Sequence, residues 1–337
     1  MVDEQMDLID YSIVIPIFNE EENVRPLTER LVSVMETTDS TYEIVFIDNG
    51  SIDKSPIILS DLLKEYGNLK VITLSRNFGY DGGISSGFEY AKGSRIIIMD
   101  GDQQDPPEEI PRFISKAKEG YEIVYGIRKK RNKGFLLNLQ MKLFYRIWKQ
   151  IVTINIPKDA GNFGIISREV MDIIKDMPER NKFIRGLRAW TGYPSVGIEY
   201  KRDRRSLGKT KFSFINYLNH AINGITSFST APLRMFSYIG FTGLTCCFLF
   251  GLYIFITRII SILGYNIIDY GDISGTATII LLILTVLSVN LFGLGIIGEY
   301  IGRILEEVKK RPNYIVKKVR NSSKDFDMTK SEKTLNL

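Results

Sequence analysis

Apolar and polar residues are grouped along this chain in two ways. Over roughly the first two hundred residues, short uncharged runs alternate with longer stretches of mixed character. Tyr11–Pro16, Tyr42–Asp48, Leu69–Leu74, Arg95–Met99 and Tyr121–Tyr125 are apolar and rich in β-branched residues, and each ends in a polar or glycine-bearing turn. Such runs predict strands buried on both faces. The segments between them have helical spacing: Asn19 to Glu36, with acids expected in the first turn, then Ile57 to Tyr66, Phe78 to Lys92 and Glu108 to Lys118. Strand–helix alternation at this interval predicts right-handed βαβ units and an α/β fold with a mostly parallel sheet. Further on, Phe163–Ile166 and Pro194–Tyr200 read as strands and Glu169–Lys175 as a short helix.

The second grouping begins near Arg234. No charge occurs from Met235 to Thr257 or from Ser274 to Gly298. Each run reaches the ~20 residues a membrane-crossing helix needs. Lys and Arg flank both outer ends, including Lys209, Lys211, Arg303, Lys309, Lys310, Lys317 and Lys318, while the intervening loop holds Asp269 and Asp272 and no Lys. The positive-inside rule then predicts a two-helix hairpin in the lipid bilayer with both termini cytoplasmic. Phe135–Ile151 and Phe212–Phe228 are amphipathic, and the first reads equally as an interfacial helix or a core-facing one. The expected organisation is a catalytic domain over 1–210, a juxtamembrane segment over 211–234, two membrane helices over 235–300 and a basic tail over 301–337, polar and disordered from Asn321.

Composition removes several classes of function. A net charge of +5 is only mildly basic, and base-stacking modules are absent, so nucleic acid is not an expected partner. The single histidine, His220, rules out a histidine-built metal site or a Ser-His-Asp triad of the usual kind. Gly-x-Gly-x-x-Gly does not follow the first strand, and there is no phosphate-binding lysine loop of the Walker type.

Candidate chemistry gathers at the expected carboxyl ends of the strands, where open α/β sheets bind ligands. The run Ile96–Met99 breaks off into Asp100-Gly101-Asp102-Gln103-Gln104-Asp105-Pro106-Pro107. Two carboxylates spaced i, i+2 at a strand end suit Mg²⁺ or Mn²⁺, with substrate phosphates completing the shell. Asp48 is placed to bind a base or ribose, and the glycine-rich loop from Phe78 could approach a nucleotide closely.

Taken together, these residues resemble the family 2 glycosyltransferases, and within them the polyisoprenyl-phosphate glycosyltransferases related to dolichol-phosphate mannose synthase and the bactoprenol glucosyltransferases. The resemblance runs from about Tyr11 to Lys318. It is carried by Ile15-Pro16-Ile17-Phe18-Asn19-Glu20, Asp48-Asn49-Gly50-Ser51, Ser75-Arg76-Asn77-Phe78-Gly79, Met99 to Pro107, Ser227 to Arg234 and Gly298 to Arg303. It implies a GT-A fold, a nucleoside-diphosphate sugar donor (UDP by preference), a polyisoprenyl phosphate acceptor, a Mg²⁺ or Mn²⁺ cofactor and self-association into homo-oligomers. Mapped onto this sequence, it assigns Pro16, Phe18, Glu20, Asp48, Asn77 and Gly79 to the nucleotide sugar. Asp100, Asp102 and Gln104 fall to the metal and diphosphate, and Arg128, Arg131, Arg205 and Lys211 to the lipid phosphate. Two departures matter. Asn49 replaces the family's second Asp, and Gly161-Asn162-Phe163 replaces Gly-Asp-Phe, whose Asp is a candidate base in relatives. Asn162 would then act by position, and Asp159 is the nearby substitute base. Two rival readings are a processive polysaccharide synthase, whose Gln-x-x-Arg-Trp segment Arg188-Ala189-Trp190 fails to match, and a non-catalytic nucleotide-sugar sensor at the membrane.

Overall fold

A computed structural model describes residues 9–129, 160–179, 182–202, 231–263, 275–322 and 325–326. The chain divides into two compact units, one holding the mixed sheet and the other the long apolar helices.

In the first unit, β1 (Tyr11–Ile17), β2 (Tyr42–Asp48), β3 (Leu69–Leu74), β4 (Arg95–Ile98), β5 (Ile123–Arg128), β6 (Ala160–Ser167), β7 (Ser195–Tyr200), β8 (Val316–Asn321) and β9 (Asp325–Phe326) form one sheet in the order β7-β5-β6-β4-β1-β2-β3-β8-β9. The central block β4-β1-β2-β3 is parallel, as the buried apolar runs predict; β6, β8 and β9 join antiparallel. Helices α1 (Val24–Met35), α2 (Ser55–Glu65), α3 (Gly79–Tyr90) and α4 (Ile110–Lys118) connect the strands, and α5 (Arg168–Asp176) and α6 (Ile184–Trp190) follow β6. Ile13, Ile15, Phe46, Val71 and Ile97 of the strands pack with Leu27, Leu31, Leu59 and Leu62 of α1 and α2 in one core. On the opposite face α3 lies close to β1: a Cβ on Gly87 would collide with Val14 Cγ1, and one on Gly83 would meet Pro16 Cβ at 3.0 Å.

A polar network locks the amino ends of three strands. Glu43, in β2, accepts from Ser12 Oγ at 2.6 Å and from the Lys92 amide at 2.5 Å. It pairs with Lys70 Nζ at 2.8 Å. Lys70 also donates to the Tyr90 carbonyl at 2.7 Å, placing its charge at the carboxyl end of α3, which the helix dipole favours.

Three expectations need revision. Glu20 to Glu22 lie ahead of α1, not in its first turn, because that segment is tied to the turn after β2. Helix α6 has no clear signature in the sequence. The basic tail is not wholly polar chain, since Val316–Asn321 pairs with β3 and Asp325–Phe326 with β8. The amphipathic segments 135–151 and 212–228 lie outside the described residues.

The second unit contains α7 (Ala231–Ile262) and α8 (Gly275–Val308). They cover the two expected apolar runs. Among the described residues one stretch is long and apolar enough to cross a membrane, Leu282–Val308, with mean hydropathy 1.9 and almost all of its surface exposed.

Candidate active site

The parallel block places the carboxyl ends of β1, β2 and β4 side by side: Ile17 faces Asp48, and Val14 faces Ile98. The loops leaving β1 and β2 are bound to each other. The Asn19 amide donates to Ser51 Oγ at 3.0 Å, the Ile52 amide to Asn19 Oδ1 at 2.9 Å, and the Glu20 amide to Ser55 Oγ at 3.0 Å. Asn19 adopts a left-handed backbone, φ 55°, which asparagine tolerates better than most residues. Pro16 sits against Gly83, and Asp48 is buried with Oδ1 accepting from the Ser51 amide at 2.9 Å. Burial pushes the Asp48 carboxyl upward, opposed by the Ser51 bonds and by Arg320.

Asn49 explains its own departure from the family pattern. Its Nδ2 donates to the Gly79 carbonyl at 2.7 Å while its Oδ1 accepts from the Phe78 amide at 2.9 Å. A carboxylate could make only the second bond. Asn77 Oδ1 accepts from the Gly79 amide at 2.8 Å, and Gly79, at φ 81°, opens α3. Asn49→Asp is therefore expected to loosen this loop, with Phe78 and Gly79 amides exchanging with solvent about tenfold faster, the equivalent of one lost hydrogen bond. Unchanged exchange would show that Asn49 does not hold the loop.

The acidic turn after β4 carries the densest charge. Asp100 Oδ1 accepts from the Tyr80 hydroxyl at 2.6 Å, and its Oδ2 lies 3.2 Å from Arg202 Nη2 and 3.8 Å from Arg128 Nη2. Asp102 Oδ1 accepts from the Gln104 amide at 3.1 Å; its Oδ2 is 4.0 Å from the same Arg202 nitrogen. Asp105 is buried, with Oδ1 held by the Tyr200 hydroxyl at 2.5 Å and Arg202 Nε at 3.2 Å. Its Oδ2 has no hydrogen-bond partner among the described residues. Burial, with Asp100 nearby, raises the Asp105 carboxyl to about 6. Burial and the Asp100 charge push the Tyr80 hydroxyl well up.

Arg128, at the end of β5, lies over Gly161 of β6, and a Cβ there would meet its Nε at 3.4 Å. That Nε and Asn162 Oδ1 are buried without hydrogen-bond partners among the described residues. Behind them, buried Arg188 donates to the Gly161 carbonyl at 3.0 Å and stands over the Tyr125 ring at 5.3 Å. Burial lowers its guanidinium to about 10.

Asp100 and Asp102 thus meet around Arg202, with Gln104 on the same turn and Arg128 3.8 Å from Asp100; Asn162 lies on β6 next to Gly161. Pro16, Asp48, Asn77 and Gly79 line the neighbouring strand ends, with Phe18 and Glu20 on the loop after β1. Arg131, Asp159, Arg205 and Lys211 lie outside the described residues. The structure adds Tyr80, Arg188, Tyr200 and Arg202, which sequence reasoning misses as site residues, and gives Asp105 of the acidic turn the partners Tyr200 and Arg202. Arg202 opens the same basic segment as Arg205, so its charge is visible in the sequence but its convergence on three carboxylates is not.

Residues 12–174 match the model of "Glycosyl transferase family 2". The chain is 40% identical to the uncharacterized glycosyltransferase YkcC of Bacillus subtilis, covering 92% of this chain and 94% of that one. This chain is a family 2 glycosyltransferase. The glycosyltransferase is also 38% identical to sll0501 of Synechocystis, over 91% of its own length and 95% of the relative's. To the SfII prophage-derived bactoprenol glucosyl transferase of Shigella flexneri it is 37% identical, over 91% and 97%. Its fold is GT-A-like, an α/β arrangement around the parallel block.

Enzymes of this fold commonly use a divalent metal, and the residues of this glycosyltransferase fit one in part. Asp100 and Asp102 already share a cation, the Arg202 guanidinium. Hard carboxylate oxygens at that spacing suit Mg²⁺ or Mn²⁺. No group of three or more acidic, histidine or cysteine side chains forms a metal cage among the described residues. A metal here would draw its remaining ligands from substrate and water.

Proposed function

We propose that this glycosyltransferase moves one sugar from a nucleoside-diphosphate sugar, UDP by preference, to a polyisoprenyl phosphate at the cytoplasmic membrane face, with inversion at the sugar. The observation that carries the reading is the facing of opposite charges at the strand ends: Asp100 and Asp102 on one side, Arg128 on the other, its buried Nε without a hydrogen-bond partner among the described residues. Such a site can hold a metal–diphosphate and a second phosphate at once. Relatives named as bactoprenol glucosyl transferases, a sugar and a polyisoprenoid, support the reading.

Asp100, Asp102 and the Gln104 segment would hold Mg²⁺ or Mn²⁺, which neutralises charge developing on a departing diphosphate. Asp48 and the Asn49-anchored loop would seat the nucleotide. Arg128 would meet the acceptor phosphate, to which a guanidinium gives two charge-assisted bonds; Arg131, Arg205 and Lys211 are assigned the same role. Asn162 cannot take a proton at neutral pH. None needs taking if the acceptor is a phosphate monoester, which carries about −1.5 to −2 charge at pH 7.

The test is a screen of radiolabelled nucleotide sugars against membranes supplied with polyisoprenyl phosphate. A labelled product extracted with lipid is expected for at least one donor. Polymer in its place would indicate a processive synthase. Donor binding without product from any donor would indicate a sensor.

Two membrane helices, α7 and α8, are part of the proposal. At 1.5 Å per residue they are ~48 and ~51 Å long, ample for a ~30 Å hydrocarbon core. The chain leaves the sheet-bearing unit before α7 and rejoins it after α8 as β8, which an even number of crossings accommodates and a single one does not. Tags at either terminus should resist external protease in intact cells, whereas a tag inserted at Tyr270 should be cleaved. Cleavage of the C-terminal tag would overturn the hairpin.

A further inference from the structure

One guanidinium serves three carboxylates of the acidic turn. Arg202 follows β7 by two residues, and Tyr200, at the strand's end, is tied by its hydroxyl to Asp105. From there Arg202 places Nη2 3.2 Å from Asp100 Oδ2 and 4.0 Å from Asp102 Oδ2, and Nε 3.2 Å from Asp105 Oδ1. The other oxygens of the first two accept from neutral donors, Asp100 Oδ1 from the Tyr80 hydroxyl and Asp102 Oδ1 from the Gln104 amide. The Oδ2 atoms are therefore the ones that face a cation, and the cation they face is Arg202. A guanidinium does not give up its proton in a protein. It cannot make way for a divalent ion by becoming neutral; it must move, or repel the ion at close range.

Asp105 offers it somewhere to go. The Nε–Nη2 edge of a guanidinium matches a single carboxylate with two parallel bonds. Here that edge is split, with Nε on Asp105 and Nη2 on Asp100. Asp105 Oδ2 is buried with no hydrogen-bond partner among the described residues. Closing both nitrogens on Asp105 would satisfy that oxygen, keep the Nε bond and release Asp100 and Asp102.

With Asp100 and Asp102 as the metal ligands of the proposed function, we propose that Arg202 is a positioning residue that makes metal binding conditional on the donor's diphosphate. Its guanidinium competes with the ion for the two carboxylates. A diphosphate adds negative charge that attracts both cations and offsets their repulsion. Metal and nucleotide then bind as a pair, each tightening the other by the same factor.

The test titrates Mn²⁺ into the detergent-solubilised full chain and reads free ion by electron paramagnetic resonance, with no sugar transfer involved. The wild type should bind Mn²⁺ about tenfold or more tightly with UDP than without it. Arg202→Gln, which removes the charge and keeps a polar side chain, should bind Mn²⁺ alone about tenfold tighter than wild type, and the gain from UDP should shrink. A residue that merely held the acidic turn in shape would give the opposite, a weaker site on its removal. Equal or weaker Mn²⁺ binding by an Arg202→Gln variant that still binds UDP would overturn the proposal. So would a wild type whose Mn²⁺ affinity is indifferent to UDP, a result that needs no variant to fold. If Mn²⁺ binds neither protein even with UDP present, the metal assignment itself falls, and the role of Arg202 with it.

Discussion

Asp102→Asn is expected to remove sugar transfer, a fall of ~10³-fold or more, because the diphosphate loses its counter-charge where charge develops. The fold should survive, since Arg202 keeps Asp100 and Asp105 as partners. Chelation by EDTA should reproduce the loss, and full activity in EDTA would remove the metal from the assignment. Asp159→Asn makes the decisive comparison. A general base contributes ~10²–10⁴-fold, whereas an acceptor that is already an anion needs none. Asp159→Asn should therefore retain substantial activity, and the pH–rate profile should follow ionisation of the lipid phosphate. If both variants are equally inactive with donor binding intact, the base-free mechanism is wrong.

The largest expected effect on stability lies far from the site. Lys70→Met strips the cation from a pair whose side chains are both less than a tenth exposed. Glu43 would keep its bonds from Ser12 and Lys92 but lose its only ion-pair partner among the described residues, and the Tyr90 carbonyl would lose its donor. Breaking such a pair from one side costs ~3–5 kcal/mol. Thermal unfolding of the detergent-solubilised chain should register this as a large drop in midpoint. A midpoint within a degree or two of wild type would mean that water reaches Glu43 and the network is not a lock.

The strands of the parallel block are legible in the sequence because burial on both faces leaves a plain apolar run. The apolar helices are legible because soluble cores seldom hold so long a run without charge. Strand β8 is not. At the sheet margin Val316-Lys317-Lys318-Val319-Arg320-Asn321 can carry three cations, and edge strands favour lysine, so the segment reads as solvated tail. In the site, Asp100, Asp102 and Asp48 can be found because each closes or follows a strand, whereas Arg128 is reached only through the family resemblance. Tyr80, Arg188 and Arg202 cannot, since nothing local distinguishes a tyrosine in a helix or an arginine in a basic loop. Their roles exist only where α3, α6 and the end of β7 converge. Asn49 is the instructive case: as a departure from a family pattern it keeps the non-catalytic sensor reading open, yet its amide bridges Phe78 and Gly79 in a way Asp could not.

The pairing of β8 with β3 also sets a timetable for synthesis. Strand β3 is made early, and its partner emerges only after both long apolar helices. Until then the flank of β3 offers bare amides and carbonyls, the kind of surface on which chains aggregate. The nascent domain must therefore wait, partly finished, while the helices are inserted. Chains stalled or truncated before Val316 should be recognised by chaperones and proteases as incomplete, even though every residue around Asp100 has already been made.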